Sequence, residues 1–270
     1  MSGARLPLAA SVLLLRAAAA AGEPFEVYML RRPETVRFAP GAYIFPGGVL
    51  DADDRDIARA LLASPAAATI ATLHARMACE GPFASPDAET TGALAVCAVR
   101  ELFEEAGVLL ARDAAGRPLG CADAADRQRR REDVLESHLA FADLLADAGA
   151  APDLDALVYF SHWITPEGAR LRYDTHFFLA ALPAGQEASH YPGEMQGGLW
   201  LTPREGLARR ARGDFPLVTV QAYHLERLAE YPSLDALFAF ARAKAVPAVM
   251  PVLGANGRES ALSEEVRRCW

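Results

Sequence analysis

The segment RELFEEAGV, residues 100–108, decides how this sequence is interpreted. It carries three glutamates, Glu101, Glu104 and Glu105, at positions i, i+3 and i+4. In a helix, side chains with this spacing lie on one face and within reach of one another. Like charges so placed destabilise an isolated helix by roughly a few tenths of a kcal/mol per pair. Either water screens these carboxylates or a cation holds them together.

The residues around the glutamates predict a two-faced helix over 92–106. Its apolar residues recur at helical spacing and are expected to face a core. Arg100 can pair with Glu104 one turn later, and Gly107 stands where a helix ends in the left-handed conformation. A solvated acidic helix end would explain two glutamates, but three of them with this arginine and this glycine are rarer.

A hard divalent cation, Mg²⁺ or Mn²⁺, explains the glutamate cluster in physical terms. Such ions bind carboxylate oxygens, and Mg²⁺ keeps several waters and bridges to substrate phosphates. A cation bound in this way neutralises phosphate charge and lowers the pKa of an attacking water. The cluster therefore predicts metal-dependent chemistry at a phosphate.

A second motif, YIFPGGVLDADD at 43–54, precedes the glutamates. Gly47 and Gly48 allow a sharp turn and a close approach of the backbone. Together the two segments resemble the Nudix box, G-x5-E-x7-R-E-U-x-E-E-x-G-U, where U is an apolar residue. Gly48 matches the first glycine, residues 100–108 match the second half throughout, and Asp54 stands at the first glutamate of the box.

The spacing inside this box departs from the general pattern. Asp54 and Arg100 are separated by 45 residues, where the box has seven. This resembles the branch of Nudix hydrolases typified by the peroxisomal coenzyme A diphosphatase, which carries a long insertion at the same place. The resemblance covers residues 9–245 and includes the segments HWITPEG, RYDTHFFLA and LWLTPREGL.

The resemblance implies an α/β (α+β) Nudix fold, in which a mixed β-sheet lies between helices. It implies one domain over 1–270, with a helical insertion at 55–91 and a helical C-terminal part at 203–270. The implied reaction is Mg²⁺- or Mn²⁺-dependent hydrolysis of coenzyme A or acyl-coenzyme A to 3′,5′-ADP and (acyl-)phosphopantetheine. Two alternatives stay open: hydrolysis of another dinucleotide or nucleotide-sugar diphosphate, and a non-catalytic Nudix module that binds a nucleotide and regulates something else.

Roles for individual residues follow from the same resemblance. The expected catalytic residues are Arg100, Glu101, Glu104, Glu105 and Glu194. The expected metal ligands are Asp54, Glu101, Glu104 and Glu105. The expected substrate-binding residues are Arg32, Arg37, Gly47 and Gly48.

Three of these assignments rest on segments outside the box. Arg32 and Arg37 partly match a pattern of Nudix coenzyme A pyrophosphatases, L-L-T-x-R-[SA]-x3-R-x3-G-x3-F-P-G-G. Pro33 stands where that pattern has Ser or Ala, and surface ion pairing explains both arginines equally well. Glu194 lies in a glycine-rich loop where Nudix enzymes often place a further carboxylate, and an exposed loop glutamate is an equal alternative.

The hydrophobic pattern predicts mixed strands and helices along the chain. Strands are expected at 9–16, 25–32, 41–46, 157–164, 174–181 and 197–202. Helices are expected at 55–64, 67–79, 92–106, 123–147 (with a break allowed), 203–212, 216–230 and 233–245. Arg16 interrupts the first apolar run, so a hairpin of the first two strands is favoured over a signal peptide.

The composition excludes several functional classes. Apolar residues make up 52%, charged residues 23%, and the net charge is −8, which is an ordinary soluble composition and argues against broad nucleic-acid binding. Arg16 leaves the first apolar run too short for a membrane span, so no membrane partner is expected. A small-molecule diphosphate is the partner that the Nudix resemblance implies. The basic run RQRRR at 127–131 is interpreted as a solvated helix face. Four cysteines without a C-x-x-C pair indicate reduced thiols and a cytoplasmic location. Nothing in the sequence indicates an oligomeric state.

Overall fold

The computed structural model describes residues 6–19, 22–78, 83, 85–119, 124–136, 139–253, 262, 266 and 270. The strands are β1 (Leu8–Ala17), β2 (Phe25–Arg31), β3 (Tyr43–Ile44), β4 (Gly47–Val49), β5 (Ala111–Asp113), β6 (Ala150–Pro152), β7 (Val158–Ile164), β8 (Asp174–Ala181), β9 (Gly197–Leu201) and β10 (Ala248–Val249). The helices are α1 (Ala52–Leu62), α2 (Ala67–Met77), α3 (Ala88–Ala106), α4 (Ala124–Leu135), α5 (Phe141–Asp147), α6 (Pro203–Arg212), α7 (Thr219–Leu228) and α8 (Leu234–Ala243).

One mixed sheet of eight strands organises the described chain. Its order is β10-β7-β8-β1-β2-β3, with β4 also pairing with β1 and β9 with β2, while β5 and β6 form a separate ribbon. The β1–β8 and β10–β7 pairs are parallel and the other pairs are antiparallel. The predicted α/β class with a mixed sheet is confirmed.

Strand β1 lies at the centre of this sheet and is buried on both faces. Val12 and Leu14 face the core that contains α1, α2 and α3, whereas Leu13 and Leu15 face the core that contains α7 and α8. This alternation explains the continuous apolar run of the strand, because a strand covered on both faces needs no polar side. The predicted hairpin is also confirmed, since β1 and β2 pair antiparallel.

The described part of the insertion is helical and packs on α3. A Cβ atom on Gly92 would lie 3.2 Å from the Cβ of Ala58 and 3.1 Å from Cδ1 of Ile70. Gly92 therefore lets α1 and α2 approach α3 closely. Residues 79–82 and 84 lie outside the described part, and the organisation of 1–270 as a single domain stays a prediction.

Several element boundaries differ from the sequence expectations. The break allowed in the helix expected over 123–147 is present, because α4 ends at Leu135 and α5 begins at Phe141. Helix α3 begins at 88 rather than 92, because the Asp87 side chain caps it by accepting from the backbone N–H of Thr90 at 2.7 Å. The strand expected over 41–46 is reduced to β3, and β4, β5, β6 and β10, of two or three residues each, were not expected.

The described residues bear on two further expectations, the reduced cysteines and the absence of a membrane span. Cys97 is buried and free of any disulfide, while Cys79, Cys121 and Cys269 lie outside the described residues. Within the part of the chain that is described, no helix is both long and apolar enough to cross a membrane.

Candidate active site

Helix α3 places the three glutamates against strand β4. The apolar face of the helix is buried in the core, and its C-terminal end is formed by Gly107 with a φ of 67°. Glu101 and Glu104 keep 13% and 17% of their side-chain surface exposed, whereas Glu105 is buried. The predicted end of the helix at Gly107 is confirmed.

The two glycines of the Pro-Gly-Gly turn make this close approach possible. The Gly47 N–H donates to Oε2 of Glu105 at 2.7 Å, and a Cβ there would lie 2.7 Å from Cα of Ser11. A Cβ on Gly48 would overlap the carboxylate of Glu101. Any larger residue at either position would therefore have to move β4 or displace a glutamate.

Arg100 holds two of the glutamates in place. Its Nη1 donates to Oε1 of Glu101 at 2.8 Å and to Oε2 of Glu104 at 2.9 Å. The other oxygen of each of these carboxylates, and Oε1 of Glu105, accepts no hydrogen bond from any residue described. Three carboxylate oxygens are thus left for a ligand.

Asp54, a predicted metal ligand, is engaged by Arg100 in this structure. It is fully buried, and Nε and Nη2 of Arg100 each donate to one of its oxygens at 2.9 Å. The backbone N–H of Asp51 donates to the same carboxylate at 2.8 Å, as part of the cap of α1. Both oxygens accept hydrogen bonds, so Asp54 orients Arg100, and the shorter side chain suffices for this contact because α1 brings it next to α3. Its role as a metal ligand stays a prediction.

The glutamates carry more negative charge than their surroundings stabilise. Burial raises the pKa of Glu104 to about 7, although Arg100 opposes the shift. Burial, and then the charge of Glu101, raises the pKa of Glu105 well above its usual range. Burial also raises the pKa of Glu101, against the effect of Arg100. Carboxylates that are costly to ionise in this way, with free oxygens, fit a hard divalent cation.

Glu194 is brought to the same cluster by the loop before β9. Ser189 N–H donates to the carbonyl of Ala106 at 2.9 Å, and the Gln186 amide bonds both backbone groups of Leu109 at 2.8 and 2.9 Å. The loop is thereby fixed to the end of α3. The charge of the exposed Glu194 raises the pKa of all three α3 glutamates, so it acts within the same electrostatic environment.

Arg131 is a residue of this site that the sequence interpretation missed. It belongs to the RQRRR run, whose assignment to a solvated helix face is wrong for this residue, because Arg131 is fully buried. Its Nε donates to the carbonyl of Glu104 at 2.7 Å and its Nη1 to the carbonyl of Ser189 at 3.0 Å. Burial lowers the pKa of Arg131 to about 10, while Tyr28, Glu194 and Glu105 oppose the shift. No signal within the run separates it from the exposed Arg129 and half-buried Arg130, which pair with Asp126.

A cavity of about 340 Å³ adjoins the turn at Gly47 and Gly48. Its walls are mostly apolar and include Phe38, Trp163 and Tyr173. Arg32, one of the two arginines predicted to bind substrate, lines the cavity. Its Nε donates to the carbonyl of Phe38 at 3.0 Å. The charge of Arg32 also lowers the pKa of Glu105 and Glu194.

Arg37 is placed differently from Arg32. It is exposed in the loop between β2 and β3 and does not line the cavity. No described residue forms an ion pair or hydrogen bond with it. The structure therefore brings together all the predicted site residues except Arg37.

Comparison with known proteins identifies the family. The family model of the NUDT19 Nudix domain matches residues 2–228. This chain belongs to the NUDT19 Nudix family. The Nudix likeness found in the segments 43–54 and 100–108 is confirmed.

Two named relatives and one solved structure align with most of this chain. Acyl-coenzyme A diphosphatase NUDT19 of Gallus gallus is 32% identical over 276 residues, covering 88% of this chain and 72% of that protein. The protein of the same name from Homo sapiens is 33% identical over 246 residues, covering 83% of this chain and 66% of that protein. The crystal structure of a NUDIX hydrolase from Alicyclobacillus acidocaldarius superposes with a TM-score of 0.70 at 28% identity, covering 88% of this chain and 97% of that one.

Proposed function

We propose that this Nudix chain hydrolyses the diphosphate linkage of coenzyme A or acyl-coenzyme A, giving 3′,5′-ADP and (acyl-)phosphopantetheine. The observation that carries the proposal is the cluster of Glu101, Glu104 and Glu105 against β4, with one free oxygen each, beside a cavity. The substrate follows from the relatives, two of which are named acyl-coenzyme A diphosphatases.

Mg²⁺ or Mn²⁺ is the proposed cofactor, held by Glu101, Glu104 and Glu105. Around the cluster, five carboxylates face three guanidinium groups: Asp54, Glu101, Glu104, Glu105 and Glu194 against Arg32, Arg100 and Arg131. The excess of negative charge supports a divalent ion. When bound, this ion would neutralise phosphate charge and lower the pKa of the attacking water.

The chain's own residues supply positioning and proton transfer. Arg100, oriented by Asp54, fixes Glu101 and Glu104, and the Gly47 N–H fixes Glu105. We assign the proton from the attacking water to Glu194, since it is the exposed carboxylate of the cluster and burial raises its pKa toward the range useful for a base.

The cavity is the proposed site for part of the substrate. Its volume falls within the range of small-molecule sites, and such sites are mainly apolar with a few polar groups. Arg32 is the cation at its wall, while the exposed Arg37 remains available for a phosphate that projects into solvent. This arrangement suits a ligand with an apolar part and several phosphates.

A substrate panel tests the proposal. Coenzyme A, an acyl-coenzyme A, ADP-ribose, NADH and a diadenosine polyphosphate would each be incubated with and without Mg²⁺ or Mn²⁺, and the products identified by mass spectrometry. We expect metal-dependent release of 3′,5′-ADP, with coenzyme A or its ester turned over best. Cleavage of another diphosphate with no turnover of coenzyme A would select the other-dinucleotide alternative.

The non-catalytic alternative is also addressed by this panel. Such modules usually lose glutamates of the box, whereas this chain keeps three of them and has Asp54 at the position of the first. Nucleotide binding without turnover of any panel member would favour a regulator. We further propose a cytoplasmic location and no nucleic-acid or membrane partner, in line with the net charge of −8.

A further inference from the structure

A second cluster of metal-binding side chains lies on strands β7 and β8. His162 and His176 are directly paired across the two strands, and Asp174 precedes His176 by two residues, so all three side chains share one face of the sheet. Ala10 of β1 pairs with His176 on one side and with Gly48 on the other. His176 therefore lies two strand spacings, about 10 Å, from Gly48, and His162 lies one strand further away.

The three side chains converge on one point. Nε2 of His162 lies 2.5 Å from Oδ1 of Asp174, and Nε2 of His176 lies 3.6 Å from the same oxygen. The two imidazole rings are stacked, with centroids 4.2 Å apart. One ligand atom from each residue lies within 4.8 Å of the others, which is close enough for small side-chain movements to enclose an ion.

Tyr159 fixes the orientation of one histidine from behind. A bulge in β7 between Tyr159 and Ser161 places the tyrosine on the face of the cluster, where its hydroxyl lies 2.9 Å from Nδ1 of His176. A partner on one ring nitrogen leaves the other to bind a metal, as is common for histidine ligands.

The other histidine carries an unsatisfied polar atom. His162 is 2% exposed, and its buried Nδ1 has no hydrogen-bond partner in the described structure. The Asp174 side chain is 20% exposed, so the cluster is open to solvent on the carboxylate side.

We propose that His162, Asp174 and His176 form a binding site for a divalent transition-metal ion such as Zn²⁺, separate from the carboxylates of α3. Two imidazoles and one carboxylate are a ligand set that Zn²⁺ accepts, whereas Mg²⁺ prefers oxygen ligands. Three protein ligands leave a fourth position for water. The proposal does not depend on the reaction proposed above.

This site would act on the wall of the substrate cavity. Each proposed ligand has a direct neighbour in sequence that lines the cavity, and these neighbours are Trp163, Tyr173 and Thr175. An ion that joins β7 to β8 would stiffen these strands at the cavity wall. The site would therefore stabilise this wall of the cavity.

Zn²⁺ binding in excess Mg²⁺ tests the proposal. The full chain would be titrated with Zn²⁺ against a chromophoric chelator, with Mg²⁺ in large excess to occupy the oxygen ligands of α3. We expect one Zn²⁺ bound per chain in wild type and in Glu105→Gln. Binding should weaken at least 100-fold in His176→Ala and about 10- to 100-fold in Tyr159→Phe, which removes the hydroxyl that contacts His176.

His74→Ala is the matched control, because His74 is a half-buried histidine bonded to Thr91 at 3.3 Å, outside the cluster. It should bind Zn²⁺ as wild type does. Circular dichroism would check that each variant is folded. If His176→Ala does not fold, the Zn²⁺ affinities of Tyr159→Phe and Asp174→Asn test the site instead. No Zn²⁺ bound by wild type, or equal affinity in Tyr159→Phe, Asp174→Asn and wild type, would show that the cluster is only a hydrogen-bonded core network.

Discussion

Arg131 joins two parts of the active site that are far apart in sequence. It bonds the carbonyl of Glu104 on α3 and the carbonyl of Ser189 in the loop that carries Glu194. Both bonds are made by a fully buried charged group, and such bonds contribute more than neutral ones. The position of Glu194 therefore depends on a buried side chain of α4.

Replacing Arg131 with Met should lower kcat/KM by about 10-fold or more, since the loop loses its anchor to the end of α3 and the two charge-assisted hydrogen bonds from the buried arginine to part-buried carbonyls are lost. Steady-state kinetics below the melting temperature would measure this. Arg130→Ala, in the same helix turn but half-buried and paired with Asp126, should be close to wild type.

The role of Arg131 can be separated from general stability. If Arg131 acts through Glu194, the losses in Arg131→Met and Glu194→Gln should combine to less than their sum in the double variant. Additive losses would mean that Arg131 supports the fold without positioning Glu194.

The raised pKa of Glu104 predicts how stability depends on pH in the absence of metal. An unfolded glutamate titrates near 4.5 and Glu104 near 7, so between these values the folded state binds more protons than the unfolded state. Stability should therefore fall as pH rises from about 4.5 to 7. In chelator, we expect a lower Tm at pH 7.5 than at pH 5.5 by calorimetry. Mg²⁺ should raise Tm more at pH 7.5, and an increase of Tm with pH in chelator would contradict this account.

At the scale of elements, the site depends on how closely β4 lies against α3. Gly48→Ala would place a Cβ where the carboxylate of Glu101 lies, so the glutamate must move. Activity should fall by roughly 10-fold or more, with a smaller effect on Tm. Gly197→Ala is the control, since nothing lies within 4 Å of the added atom. Equal activity of Gly48→Ala and wild type would show that the contact is not needed.

Helix α3 could be predicted from sequence because its signals are local. Apolar residues at helical spacing mark the buried face, and Gly107 marks the end. The assignment of β4 and β10 required tertiary information, because strands of two or three residues carry no measurable period. They form only where β1 and β7 offer unpaired edges.

The role of individual charged residues was predictable only in part. The cluster on α3 follows from spacing within one helix, but the burial of Arg131 depends on a loop that begins about 50 residues later in the chain. The pairing of Asp54 with Arg100 likewise depends on how the insertion returns the chain to α3. Sequence spacing does not specify such long-range contacts.

At the scale of the whole molecule, the two arginines that precede the Pro-Gly-Gly turn are expected to make different contacts with the substrate. Arg32→Ala should lower kcat/KM for coenzyme A and for dephospho-coenzyme A, because Arg32 lies at the cavity wall near Glu105. Arg37→Ala should lower it by about 10-fold for coenzyme A only, if the exposed guanidinium binds the 3′-phosphate. Equal losses on both substrates in Arg37→Ala would reject that contact.

The whole account depends on the carboxylates of α3 acting with a divalent ion on a diphosphate. The most direct measurement is the rate of coenzyme A hydrolysis in saturating Mg²⁺ by wild type, Glu104→Gln and Glu105→Gln, with the exposed Glu167→Gln as control. Loss of about 3–4 kcal/mol of transition-state stabilisation corresponds to a roughly 10²–10³-fold lower kcat. We predict this loss in both α3 variants, full activity in the control, and no activity in chelator. Near-wild-type rates in Glu104→Gln and Glu105→Gln would contradict the assignment of the site.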